Sequence, residues 1–306
     1  MMQNGRLMAN TTPLPIKNGM TGRITKILAA VDFSEASLNA LETAASIAAK
    51  CEAVLYILYA HDNILEFIGI NTAAARSVNN NSSDILAAIC HDVTQKFHIR
   101  PIVIEYHLQA NEAILKTIVT HDCDLVVMGT CGESGLRKGH IGTTAYSIIK
   151  YSVRPVLLIP PGRSFRQFKR PLYPIRPVAS AFKHYQVLHQ LLEKDSVLEV
   201  LGLYYPGEKD TLYDIRELMS RMKTKMELDK ITANVSVCDI TNIPGDILNK
   251  ADTSRSDLIV IGPATDLTIK PFYVGPRSYY IIQNAKTPLL VIDKMARFNA
   301  RAQLAD

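Results

Sequence analysis

Short, nearly unbroken apolar runs recur along the chain at 27–31, 54–60, 102–106, 125–129 and 156–159, and between them apolar positions fall three or four apart. Runs of that length bounded by Gly, Pro or Asp predict strands buried on both faces, and the wider spacing predicts helices. Ser34 and Glu35 supply an N-cap and a first-turn acid for a helix with Leu38, Leu41 and Ala45 on one face. Ile85, Ala88, Ile89 and Val93 mark a helix from Asp84 towards Phe97, and Ile114, Leu115, Ile118 and Val119 a third, capped by Asn111. Ile148 and Ile149 mark a fourth, after Gly142. The polar, Asn-rich stretch 71–83 predicts a loop. Strand and helix therefore alternate, which specifies a parallel sheet covered on both faces. Ligands of such sheets bind beyond the carboxyl ends of strands, where strand order reverses.

The pattern then repeats. Residues 124–129 (D-L-V-V-M-G) are matched by 257–262 (D-L-I-V-I-G), Gly142 by Gly275, and 155–159 (P-V-L-L-I) by 288–292 (P-L-L-V-I), each pair 133 residues apart. Val54 and Leu55 match Val197 and Leu198 at 143 residues, so the change in spacing falls in the interval that holds the Asn-rich stretch. Two copies of one fold stand in tandem. Their expected limits are 23–162 and 178–294, with a tail at 1–22, a basic, Pro-rich linker at 163–177 carrying four Arg, one Lys and three Pro, and a second tail at 295–306. The last strand of each copy has the composition to pair with the other at a sheet edge, within the chain or between subunits.

Candidate chemistry sits at the strand ends. Gly129, Gly132 and Gly142 stand between a strand and a helix start, and Thr143 and Thr144 follow with amides and hydroxyls together. The first amides of a helix lack internal partners and carry the positive end of its dipole, so a phosphate fits there. The same glycines also serve a βα turn with no ligand at all. Asp32 ends the first strand, inside Lys26-Ile27-Leu28-Ala29-Ala30-Val31-Asp32-Phe33-Ser34-Glu35, where an acid equally stabilises a helix start.

Taken together, Gly129-x2-Gly132-x9-Gly142-Thr143 and Asp32 resemble the universal stress protein family, whose nucleotide-binding members carry G-x2-G-x9-G-[ST] after the fourth strand and an Asp after the first. The resemblance covers the first copy well and the second more loosely. It implies two tandem Rossmann-like domains of the adenine nucleotide alpha hydrolase-like kind, each a five-stranded parallel sheet flanked by helices. It implies ATP, or AMP, in the first copy, with Mg2+ arriving on the phosphates, and a regulatory stress-response role with little or no turnover. The base would lie near Asp32 and Ala60 and the phosphates near Gly132, Gly142, Thr143 and Thr144, with Ala30, Val31, Met128, Gly129, Cys131 and His140 also in the site. A slow ATP hydrolase and a nucleotide-free interaction scaffold stay open beside it.

The second copy departs at the same points. Thr265 stands for Gly132 and Pro276 for Thr143, which removes an amide hydrogen and a hydroxyl. No acid occurs between Gly162 and Glu193 to replace Asp32. An eroded, structural or regulatory copy is expected.

Composition narrows the rest. With 47% hydrophobic and 21% charged residues, the chain is ordinary for a globular protein, and a net charge of +5 marks no dedicated nucleic-acid surface. Five cysteines without a C-x-x-C pair argue against a disulfide framework or zinc site and for a reducing cytoplasm. His91 and His98, seven apart, have no third ligand nearby. No apolar run nears the roughly 20 residues that cross a bilayer. The expected partners are an adenine nucleotide and a second domain or subunit, not membrane or nucleic acid.

Overall fold

A computed structural model of the chain describes residues 23–61, 73–131, 141–162, 164–177, 181–262 and 275–292, with 73–81 as backbone only. The first half runs β1 (Lys26–Val31), α1 (Glu35–Cys51), β2 (Val54–Ala60), α2 (Ala73–Phe97), β3 (Ile102–Tyr106), α3 (Ala110–Thr120), β4 (Leu125–Gly129), α4 (Thr143–Tyr151) and β5 (Val156–Ile159). The second runs β6 (Pro171–Ile175), α5 (Ala181–Leu191), β7 (Val197–Tyr204), α6 (Lys209–Leu228), β8 (Thr232–Asp239), α7 (Ile243–Thr253), β9 (Leu258–Ile261), α8 (Pro276–Asn284) and β10 (Leu289–Val291). All the strands form one ten-stranded sheet in the order β3-β2-β1-β4-β5-β10-β9-β6-β7-β8. Within each half the pairing is parallel. The halves join antiparallel, Leu289 to Leu158 and Val291 to Val156, so the last strands pair within the chain.

Each strand feeds two cores. Leu125 and Val127 of β4 pack with Ala40, Leu41, Ala44 and Ala48 of α1 on one face, and Val126 and Met128 pack with Ile114, Ile118, Ile148 and Ile149 on the other. Both cores continue into the second half, through Tyr173, Tyr185 and Met219 on the first face and Leu201, Ile247 and Ile281 on the second. Burying such side chains contributes about 1.5–3 kcal/mol each. Leu38, Ile85 and Val119 are exposed, against the faces their spacing predicts. In α1 the reason is the small-residue row Ala36, Ala40, Ala44, Ala48, all buried, which turns that side of the helix onto the sheet and lets it approach closely.

Two further expectations are corrected. The Asn-rich stretch is helical from Ala73 onward, because a start of three Ala and an Arg favours helix while Asn costs only a few tenths of a kcal/mol per position. The 163–177 stretch is not a solvated linker. Phe165 and Phe168 are buried, Arg166 meets Glu42 at 2.8 Å, Lys169 meets Asp195 at 2.7 Å, and 171–175 form the buried first strand of the second half.

One device aligns the copies residue by residue. Asp124 accepts the amides of Thr25 and Lys26 at 2.8 and 3.1 Å, and Asp257 accepts those of Lys169 and Arg170 at 2.6 and 3.0 Å. Register agrees, since Val31 pairs with Tyr59 where Ile175 pairs with Gly202. The residue that follows the first strand is therefore Asp32 in one half and Arg176 in the other.

Gly262, the counterpart of Gly129, faces the imidazole of His184, whose ring atoms a Cβ would meet at 2.9 Å. Burial pushes the His184 pKa down to about 4, with the Lys183 charge acting the same way. The unfolded chain takes up this proton near pH 6.5, so the contribution is whole above that pH and is lost as pH falls towards 4. Urea unfolding of His184→Leu between pH 6.5 and 4 should show a pH slope shallower by up to about 1.4 kcal/mol per pH unit. An unchanged slope would contradict the buried, neutral imidazole.

Candidate functional site

Strand order reverses between β1 and β4, and a cleft opens there beyond their carboxyl ends, about 590 Å³ with the solvent at its mouth included. The first turn of α1 and the first turn of α4 form its sides. Ala30, Val31 and Asp32 line it from β1, Met128, Gly129 and Cys131 from β4, and Gly142, Thr143 and Thr144 from the start of α4. Ala60 does not join the lining, because it ends β2, one strand further out. Gly132 and His140 lie outside the described residues.

Sequence reasoning missed five lining residues: Ser37, Ala110, Ile114, Thr130 and Ala145. Ile114 and Ala110 come from α3, whose N-cap is Gln109 rather than Asn111. Ser37 carries a legible signal, since it lies three residues past the cap, where a hydroxyl can turn back to the strand end.

The β1–α1 turn is built by side chains. Phe33 takes a left-handed φ of 63, and Asp32 Oδ1 accepts the Ser34 amide at 3.1 Å and the Ser34 hydroxyl at 2.5 Å. Ser34 Oγ in turn accepts the amide of Ser37 at 3.3 Å, capping α1, while the Asp32 amide donates to Ser37 Oγ at 3.2 Å. Asp32 thus holds the turn and is exposed at the mouth as well.

Gly129 answers to close packing. A Cβ there would stand 2.9 Å from Ala36 Cβ and 3.0 Å from the Ala36 carbonyl carbon, so the α1 turn can press on the end of β4 only over a glycine. Gly142 plays a different part from the one expected. Its φ of −64 suits any residue, and its amide is already spent on the Thr130 carbonyl at 2.7 Å. The donors left for an anion therefore begin at Thr143 and Thr144, in the first turn of a helix with no acid in that turn.

The described lining offers Asp32 as its one carboxylate and Cys131 as its one thiol. Among the described residues, no three of His, Cys, Asp and Glu gather as metal ligands, and no helix is long and apolar enough to cross a membrane. Of the other cysteines, Cys123 is pushed up to about 12, chiefly by burial and then by the Asp124 charge.

In the second half the same geometry carries other side chains. Gly275 caps α8 at φ −64 and ψ 160, close to the −64 and 151 of Gly142, and Pro276 takes the first helical position. Arg277 stands for Thr144 and Arg176 for Asp32, while Thr265 lies outside the described residues.

Residues 23–160 match the model of the Universal stress protein family. Among curated relatives, a universal stress protein of Methanocaldococcus jannaschii is 26% identical over 153 residues, 47% of this chain and 86% of its own. Universal stress protein A homolog 1 of Coxiella burnetii is 28% identical over 142 residues, 44% of this chain and 94% of its own. A solved universal stress protein from Archaeoglobus fulgidus matches the fold of both halves, with a TM-score of 0.67 at 17% identity, covering 89% of this chain and 97% of that one.

Gly129→Ala should cost about 1–3 kcal/mol in urea unfolding, because the added methyl meets backbone as well as the Ala36 side chain. Wild-type stability in that variant would show that α1 does not press on β4 as described.

Proposed function

We propose that residues 23–160, which match the Universal stress protein family model, form a universal stress protein domain that binds an adenine nucleotide, ATP or AMP, in the β1–β4 cleft. The observation that carries this is the pairing of uncommitted amides at Thr143 and Thr144 with a carboxylate at Asp32 in one cleft. The phosphates lie against the first turn of α4, where dipole and amides favour negative charge. Asp32 stands at the end of β1, where it accepts hydrogen bonds from the ribose or base and keeps clear of the phosphates it would repel. Mg2+ comes with the phosphates.

The role is regulatory binding rather than turnover. Asp32 is engaged with Ser34, and the described lining supplies no second carboxylate or imidazole to activate water. Fast ATP hydrolysis in a turnover assay would overturn this part of the proposal.

Thr143→Pro tests the binding itself. It copies the Gly275–Pro276 step of the second half, and the φ and ψ of Gly142 already suit a residue before proline. The helix keeps its start while one amide and one hydroxyl are lost. Calorimetric titration with ATP should show affinity about tenfold weaker or worse, with the melting temperature held. Equal affinity in the two proteins would remove the phosphates from α4.

A further inference from the structure

The sheet ends in two outer strands, β3 and β8, and they are built differently. β3 is five residues long and carries a carboxylate, Glu105, which meets His61 Nε2 at 2.8 Å. β8 runs for eight residues, keeps register with β7 at every one of them, and has no charge, proline or glycine from Thr232 to Cys238. Sheet edges are normally guarded by charges, proline, bulges or a covering segment, and β8 lacks the first three. Among the described residues no strand lies outside it. Val235 and Val237 are 37% and 38% exposed, although they share the face on which Ala233 meets the core.

Alternation decides which main-chain groups are open. Ile240 donates its amide to the Tyr204 carbonyl at 2.9 Å, so the even-numbered residues of β8 face β7, and the amides and carbonyls of Ala233, Val235 and Val237 point outward. A further strand pairs with this edge when its own outward residues fall opposite these three. A second β8, turned antiparallel about a two-fold axis at Val235, meets that demand. Val235 then faces Val235 and Ala233 faces Val237, while on the other side of the sheet Asn234 faces Ser236, so apolar meets apolar and polar meets polar. The charges at the ends agree. Lys230, just before the strand, and Asp239, its last residue, are exposed, and neither side chain has a hydrogen bond or ion pair among the described residues. The two-fold axis brings Lys230 of each molecule beside Asp239 of the other.

We propose that β8 is the interface for a second molecule of this chain, paired antiparallel through Val235. The join repeats at the outer edge the antiparallel step that β5 and β10 make at the midline, and it continues the sheet from one molecule into the next. A contact one strand deep belongs with the small, reversible interfaces, so the dimer is weak. No residue of the β1–β4 cleft takes part, and the proposal does not rest on nucleotide binding.

The experiment is sedimentation equilibrium of the full chain across the micromolar range, with hydrogen exchange followed at the Ala233, Val235 and Val237 amides. A monomer–dimer equilibrium is expected, with exchange at those amides slowing as the dimer forms. Val235→Lys sets two ammonium groups opposite each other while the bonds to β7 stay, and should leave a monomer at every concentration. If that variant fails to fold, charge reversal at the exposed ends carries the same test. Lys230→Asp, at a left-handed φ of 60 that Asp tolerates, and Asp239→Lys should each weaken the dimer about tenfold or more, since each change counts twice, and the two together should restore it. Within one molecule these residues stand roughly 30 Å apart along the strand, so rescue reports pairing between molecules. A chain that stays monomeric throughout, a dimer indifferent to Val235→Lys, or single reversals that the double change does not rescue would overturn the inference. Protection of the three amides already present in the monomer would overturn it as well, by showing that another segment of the same chain covers the edge.

Discussion

The antiparallel step between β5 and β10 is short, yet it governs the whole chain. It converts two parallel sheets into a single wall of ten strands and makes each hydrophobic core continuous across both halves. It also reverses strand direction at the midline, so the carboxyl ends of the two halves, and the mouths beyond them, open in opposite directions. α4 and α8 meet beside this seam, with Tyr146 and Tyr279 edge to face at 5.7 Å. Each half thereby has a completed fold and a switch point of its own, and the two switch points are free to diverge.

Much of this was legible in the chain because burial on both faces leaves a simple trace. Runs such as 125–129 and 258–261 read as strands, and their matched neighbours mark the repeat. What failed was decided by tertiary packing. Leu38 looked inward by spacing, but the alanine row of α1 set the buried face. The basic stretch 163–177 looked like a linker because Pro and Arg are poor strand residues, yet Pro171 and Pro174 fit a strand whose burial comes from both cores. The Asn-rich stretch failed because propensity is a weak prior once a helix is running.

The site was legible in its residue types and less so in its roles. Of the glycines marked in the sequence, Gly129 yields to the close approach of α1, Gly142 takes an ordinary backbone conformation and spends its amide on Thr130, and Gly132 lies outside the described residues. Ser37 enters the cleft three residues past the α1 cap, a spacing legible in the sequence, whereas Thr130 enters by geometry that no spacing rule announces. In the second half the sequence showed that no acid was available, but only strand register could show that Arg176 takes its place. The two switch points thus differ in their side chains, with Asp32 bound to Ser34 at the first and Arg176 paired with Glu208 at the second.

The most direct test of this account is a crystal structure of the full chain grown with ATP. The expected result is nucleotide in the β1–β4 cleft, with phosphates against Thr143 and Thr144 and the sugar or base beside Asp32. An empty cleft at saturating ATP, or a nucleotide seated at Pro276, would contradict it.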